Sequence, residues 1–253
     1  MNNYLIEKIE ELQKMNNISI IYACESGSRA YGSNSLNSDF DVRFIYTYSV
    51  NDYLRVDKQR DSLVVKLTNT LEMNGWDLFK AMELFSKSNP SLYECLFSPI
   101  VYKEIPQIFE ELRYLAAESF SLQGLAFHYA NLVKSNIKQL KRGHQKPYQQ
   151  IKTIFQTTRG LLMVHFIFEY YQLPPIRMEK LIKSSTYSIQ QKEQLKQIVV
   201  VKAKNKNSNF DYKSLLLFLE EEILFLYDRI RLLPVGKKEK HKINEIIWKT
   251  LNI

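Results

Sequence analysis

Two short strings in this chain have the residue types and spacing for chemistry on phosphates. Gly27-Ser28 follows an apolar run, Ile18 to Cys24. Asp39 and Asp41 stand one residue apart at the head of a second apolar run, Val42 to Tyr46. A Gly-Ser turn offers backbone N–H groups and a hydroxyl to phosphate oxygens. Alternating aspartates offer hard oxygen ligands to Mg²⁺ or Mn²⁺. On a strand, residues i and i+2 point to one side, roughly 6.5–7 Å apart. Asp39 and Asp41 are therefore expected to project together while Phe40 and Val42 face a core. Carboxylates so placed can clamp two cations about 3.5–4 Å apart, as in two-metal phosphoryl transfer. Without a cation the two charges would repel, and one would tend to hold a proton. Either string alone is common, since Ser38-Asp39 can close a turn and Asp41 can be a solvated strand residue. The order strand, turn, spacer, paired acids, strand is what points to a nucleotide site.

Two arginines flank these strings. Arg29 follows the turn, where it can contact phosphate bidentately or pair with Glu25 or Asp39. Arg43 shares parity with Asp39 and Asp41, which favours balancing their charge over stabilising a leaving group.

The fuller strings are Glu-Ser-Gly-Ser-Arg-Ala-Tyr-Gly (25–32), Ser-Asp-Phe-Asp-Val-Arg-Phe (38–44), Gly-Trp-Asp-Leu (75–78) and the stretch 88–102 from Ser88 to Tyr102. Together they resemble the DNA polymerase β-type nucleotidyltransferase superfamily, in particular a bacterial and phage branch associated in part with RNA ligases and RNA repair. The resemblance covers roughly residues 20–120. It implies that Gly27 and Ser28 bind a triphosphate and that Asp39 and Asp41 ligate the metals. It also implies a third acid on a later strand, which would share a metal and activate the acceptor. Glu72 is preferred for that place, because Thr70-Leu71-Glu72-Met73 alternates like a strand with an inward carboxylate. Asp77 is the alternative, although it also suits the N-cap of a following helix. A two-lobed enzyme of this kind closes a helical partner over the nucleotide. Lys152 and Arg159 are then candidate nucleotide-binding residues, as are Lys134 and Lys138, which share a helix face.

The elements that must position these residues follow from periodicity. Leu5, Ile9 and Leu12 predict a helix over 2–15. Strands are expected at 18–24, 39–48, 61–67 and 70–73, with short helices near 28–31 and 92–97 and a longer one at 76–87. From Pro106 onward the period stays near 3.6, giving helices at 106–120, 122–141, 148–171, 189–204 and 210–232. The expected class is α+β: a polymerase β-like mixed sheet with flanking helices over residues 1–104, then an all-helical bundle over 105–253.

Composition bounds the rest. The 253 residues carry 35 Lys+Arg against 27 Asp+Glu, a net charge of +8 that favours polyanionic partners such as triphosphates and RNA. With seven glycines the chain is a poor loop-rich all-β protein. Cys24 and Cys95 both fall in apolar runs and read as core residues of a reducing compartment. Four histidines lack zinc spacing, and His165 reads as packed core. The N-terminus lacks the pattern of a signal peptide, and no apolar run approaches the ~20 residues that span a bilayer. A cytoplasmic protein without membrane partners is expected. The basic runs Lys202–Lys206 and Lys237–Lys242 read as solvated helix ends. The expected activity is Mg²⁺-dependent transfer of a nucleoside monophosphate from a triphosphate such as ATP to an RNA end or small molecule, with release of pyrophosphate. The alternatives are a nucleotide-binding regulatory module and a toxin–antitoxin component that modifies tRNA or a partner protein.

Overall fold

A computed structural model describes residues 2–35, 38–204 and 212–253. Asn205 and Lys206 of the first basic run, and Phe210, the expected start of a helix, lie outside the described residues. The chain divides into two compact units. One comprises residues 1–30, 38–120 and 237–253, and the other residues 31–37 and 121–236.

The first unit is built on a five-stranded sheet of β1 (Ser19–Glu25), β2 (Phe40–Thr47), β3 (Ser62–Thr68), β4 (Leu71–Asp77) and β5 (Val101–Glu104), in the order β3-β4-β2-β1-β5. β2 and β4 pair in parallel, and the other neighbours pair antiparallel. Up to residue 120 the helices of this unit are α1 (Asn2–Asn16), α2 (Gly27–Tyr31, whose last residue falls in the other unit), α3 (Val50–Tyr53), α4 (Leu78–Ser86), α5 (Pro90–Leu96) and α6 (Pro106–Ser119).

Side-chain parity divides the sheet into two faces. Val42, Phe44 and Tyr46 of β2 join Leu71 and Met73 of β4 in one core, closed by Leu5, Ile9 and Leu12 of α1. Burying each such side chain stabilises the fold by about 1.5–3 kcal/mol. β1 has a register shift between Ile20 and Tyr22, so Ile20 and Ala23 enter this core while Tyr22 and Cys24 turn to the other face. There the Tyr22 ring stacks on Phe109 of α6 at 4.4 Å, and its hydroxyl donates to the Cys95 carbonyl of α5 at 2.8 Å. Asp41, Arg43, Glu72 and Asn74 have the parity of this second face.

The parallel β2–β4 pair depends on one glycine. Gly75 stands opposite Phe44, and a Cβ built on it would lie 2.2 Å from the Phe44 ring. Gly75→Ala is expected to cost about 1–3 kcal/mol through overpacking, seen as a lower urea midpoint. Phe44→Leu in the same chain should recover part of that loss. An unchanged midpoint for the single variant would show that the ring gives way freely.

The second unit contains α7 (Leu122–Arg142), α8 (Pro147–Tyr170), α9 (Met178–Ser184), α10 (Ile189–Lys204), α11 (Lys213–Tyr227) and a 3₁₀ turn at Asp228–Leu232. Ser121 caps α7 by accepting the Gly124 N–H at 2.8 Å, and Gly143 ends it in the left-handed region at φ 71°. No helix among the described residues is long and apolar enough to cross a membrane.

The expected α+β class is the class observed. The units do not divide at 104/105. Helix α6 belongs with the sheet, and so does α12 (Lys240–Leu251), which buries Ile243, Ile246 and Ile247 and sets Lys249 on Glu111 of α6 at 2.9 Å. The second basic run thus leads into a helix of the sheet-bearing unit. Strand β5 and helices α3, α9 and α12 are elements the periodicity did not mark.

Candidate active site

Asp41 stands where three backbones meet. Its carbonyl accepts the Ser26 N–H at 2.7 Å, and its own N–H donates to Glu25 Oε1 at 3.0 Å. The Gly-Ser turn is thereby held against the start of β2. Gly27 has φ +60°, and a Cβ on it would lie 3.2 Å from Asp41 Oδ2. Backbone at residue 27 and carboxylate at residue 41 are therefore in close approach, and a side chain at 27 would intrude on the acid. In the parallel register Asp41 lies beside Glu72. Residues paired in a ladder point to the same face, on strands about 4.8 Å apart. The Glu72 carboxylate is exposed and accepts from Asn74 Nδ2 at 2.9 Å.

Asp39 precedes β2 by one residue and is exposed. Strand parity therefore does not govern its side chain, in contrast to the period-two expectation. Arg29 fixes the approach to β2. Its guanidinium donates to the carbonyls of Ser38 at 2.7 Å and Asp39 at 3.3 Å, and lies over the Phe40 ring at 3.8 Å. Its observed partners are main-chain oxygens rather than the carboxylates of Glu25 or Asp39. Arg43 pairs with Asp41 Oδ1 at 3.5 Å, the charge-balancing role expected of it.

Glu25 is the residue whose importance the sequence did not convey. It closes β1, is 0% exposed, and accepts both the Asp41 N–H and the Tyr102 hydroxyl. Burial pushes its carboxyl above the ordinary range, against the pull of those two donors. The signal was a carboxylate ending an otherwise apolar strand.

Asp77 belongs to a different place. It pairs in register with Tyr46, five residues from Asp41 on the same ladder, and has the parity of Leu71 and Met73. Its carboxylate accepts the Tyr53 hydroxyl at 2.9 Å and the Phe79 N–H at 3.4 Å, capping α4. An odd separation on one strand sends Asp77 and Glu72 to opposite faces. Burial raises the Asp77 carboxyl from 3.8 to about 6. Because the folded value lies above the unfolded one, stability linked to this group is complete below pH 3.8 and falls as pH rises through 6. Asp77→Asn keeps a good cap and removes the titration. Its stability relative to the parent is expected to rise between pH 4 and pH 7, measured by urea unfolding at each pH. A difference that stays flat across that range would contradict the assignment.

The basic candidates Lys134, Lys138, Lys152 and Arg159 belong to the helical unit. Arg159 is 2% exposed and lies over the Tyr31 ring at 3.8 Å. Lys152 is exposed, and its charge bears on Lys202. Lys134 sits over the Tyr227 ring at 3.7 Å, and Lys138 lines a groove between α7 and α11.

Among the described residues, no group of three or more His, Cys, Asp or Glu side chains is drawn together as a ready metal cage. The donor set nevertheless has the chemistry for a hard divalent cation. Asp41 and Glu72 are carboxylates in register on one face, and a glycine without side-chain bulk faces Asp41.

Residues 1–249 match the family described as the RNA repair pathway DNA polymerase beta family. The chain belongs to that family. Membership supports a general role in nucleotidyl transfer. A Bacillus subtilis (strain 168) relative, recorded as "Uncharacterized protein YcgL", is 30% identical over 254 residues, covering 99% of this chain and 96% of the relative. A crystal structure of a nucleotidyltransferase-like protein from Exiguobacterium sibiricum aligns over 93% of this chain and 74% of that one, at 10% identity and a TM-score of 0.28. That similarity is too low to bear on the reading of the family's site in this chain.

Proposed function

We propose that this chain is a divalent-metal-dependent nucleotidyltransferase acting on RNA ends. In the reaction, a hydroxyl oxygen of the RNA attacks the α-phosphorus of a nucleoside triphosphate, ATP being the first candidate. A new P–O bond forms, the bond to the β-phosphate oxygen breaks, pyrophosphate leaves, and the hydroxyl proton passes to a base. The observation that carries this reading is the 3.2 Å approach of the Gly27 Cβ position to Asp41 Oδ2, with Glu72 in register beside that acid.

Each residue has a part. The 27–28 turn takes the triphosphate, with the Ser28 hydroxyl as an added donor. Asp39, Asp41 and Glu72 would hold Mg²⁺ or Mn²⁺, and Glu72 would accept the acceptor's proton. Bound there, a divalent cation would neutralise charge on the phosphates and lower the pKa of the attacking hydroxyl. Arg29 keeps the loop before β2 in place, and Arg43 holds Asp41 in orientation. RNA as acceptor is supported by the family description and by the surplus of positive charge. Cys24 and Cys95 are buried free thiols with sulfurs 3.5 Å apart, which suits a reducing compartment such as the cytoplasm.

The test is incubation with each α-³²P-labelled nucleoside triphosphate and a defined RNA oligonucleotide, with Mg²⁺, with Mn²⁺ and with EDTA. Label is expected to appear on the RNA only when metal is present, together with stoichiometric pyrophosphate. Release of labelled monophosphate without labelled RNA, or transfer undiminished in EDTA, would refute the proposal.

A further inference from the structure

Three cations of the helical unit, Arg159, Arg177 and Lys202, meet three residues, Tyr31, Gly32 and Ser33. Arg159 lies over the Tyr31 ring at 3.8 Å. Arg177 Nη1 is 3.6 Å from where a Cβ on Gly32 would stand, in a turn with φ +74°. Lys202 donates to Ser33 Oγ at 2.7 Å and to the Ser33 carbonyl at 3.3 Å, with its amine 4.4 Å from the Phe155 ring centroid. A fourth cation, Lys152, acts on the Lys202 amine through its charge. Ser33 and Arg159 are each only 2% exposed, so this is a built environment and not a scatter of surface lysines.

The charge of Lys202 lacks an acidic partner among the described residues. Taking an ammonium out of water costs free energy that a carboxylate normally offsets. Lys202 donates its hydrogen bonds to a hydroxyl and a carbonyl. Burial, and then Lys152, lower its pKa to about 8. Like charges gathered at partly desolvated positions repel, and an anion with several charges would relieve that repulsion. The donors also suit phosphate: a planar arginine fork, a lysine point charge and a serine hydroxyl. The absent side chain at Gly32 leaves room beside Arg177. We propose that Ser33, Arg177 and Lys202, with Lys152, form a binding site for a chain of phosphate groups. These residues lie outside the Gly-Ser and aspartate strings, and the inference does not rest on the transfer reading.

The experiment is calorimetric titration of the full chain with inorganic pyrophosphate and tripolyphosphate in EDTA, so that no metal site contributes. Saturable binding is expected. Lys202→Met and Arg177→Gln should each weaken it tenfold or more, while Lys202→Arg should retain most of it. Asp41→Asn should bind like the parent, which separates this site from the carboxylates. ATP in EDTA names the source of the phosphates. Affinity equal to that of tripolyphosphate marks a site for phosphates alone, tighter binding marks a nucleotide's phosphates, and both support the proposal. Absence of binding by the parent chain would overturn it. So would binding that survives both Lys202→Met and Arg177→Gln, or binding lost in Asp41→Asn. Should Lys202→Met fail to fold, Arg177→Gln decides alone.

Discussion

Asp41→Asn is expected to lower nucleotidyl transfer by about 10³-fold, or about 4 kcal/mol of barrier, with the melting temperature nearly unchanged. The two effects separate because Asp41 holds the fold through its backbone and, in the proposed reaction, would serve the site through its side chain. The carbonyl that accepts from Ser26 and the N–H that donates to Glu25 survive the substitution. Asparagine matches aspartate in shape, so the close approach of Gly27 is undisturbed. What is lost is a negative charge, and with it the proposed hard ligand for a divalent cation. One side-chain partner is Arg43 at 3.5 Å, in a pair that is 32% and 40% exposed. Such pairs contribute about 0–1 kcal/mol. Asp77→Asn is the matched control, with identical chemistry on the opposite face of the sheet, and it should keep its activity. The paired measurement is steady-state transfer and thermal unfolding for both variants. Near-parental turnover in Asp41→Asn, or equal loss in both, would remove Asp41 from the site.

How far the sequence reached can be argued from the same residues. The motif strings placed Gly27 and Asp41 in one argument, and the backbone joins them. The neighbour of Asp41 was harder. The parallel pairing of β2 with β4 is a contact between distant segments, and nothing local in the chain states its register. The choice between Glu72 and Asp77 did have a local answer. Extending the strand from Met73 to Asp77 would have put the two acids on opposite faces by odd separation. The Asn74-Gly75 pair concealed that continuation, since glycine normally breaks a strand. Here glycine is the residue that the Phe44 ring requires. Strand β5 is four residues long, half exposed and, among the described residues, paired with β1 alone, so its sequence offers little to read. Helix α12 was obscured by the lysines before it, although Ile243, Ile246 and Ile247 carry helical spacing. Asp39 shows the limit of a period argument: the strand starts one residue too late to govern it.

Glu25→Ala should be the most damaging single change to stability near the site, costing about 3–5 kcal/mol. That is a fall of about 6 °C or more in melting temperature for a chain of this size. The carboxylate is fully buried and serves two donors, the Asp41 N–H from β2 and the Tyr102 hydroxyl from β5. Alanine would leave both without an acceptor and add a cavity where the strand ends converge. Glu25→Gln makes a sharper test. Its amide oxygen can accept the Asp41 N–H while its NH₂ donates to the Tyr102 oxygen, because a phenol hydroxyl can rotate and accept. The glutamine variant should therefore stay close to the parent in stability. The raised carboxyl of Glu25 gives the pH dependence its sign. The ionised form is the one that burial penalises, so the parent loses stability as pH climbs above the ordinary glutamate value of 4.5, and the glutamine variant gains on it over that interval. Activity should follow the hydrogen bond to Asp41 and not the charge: lost in the alanine variant even at temperatures where it stays folded, largely kept in the glutamine variant. If both variants unfold alike, the charge of Glu25 matters more than its geometry. If neither does, the junction of β1, β2 and β5 is held by the surrounding apolar contacts, and Glu25 does not position Asp41.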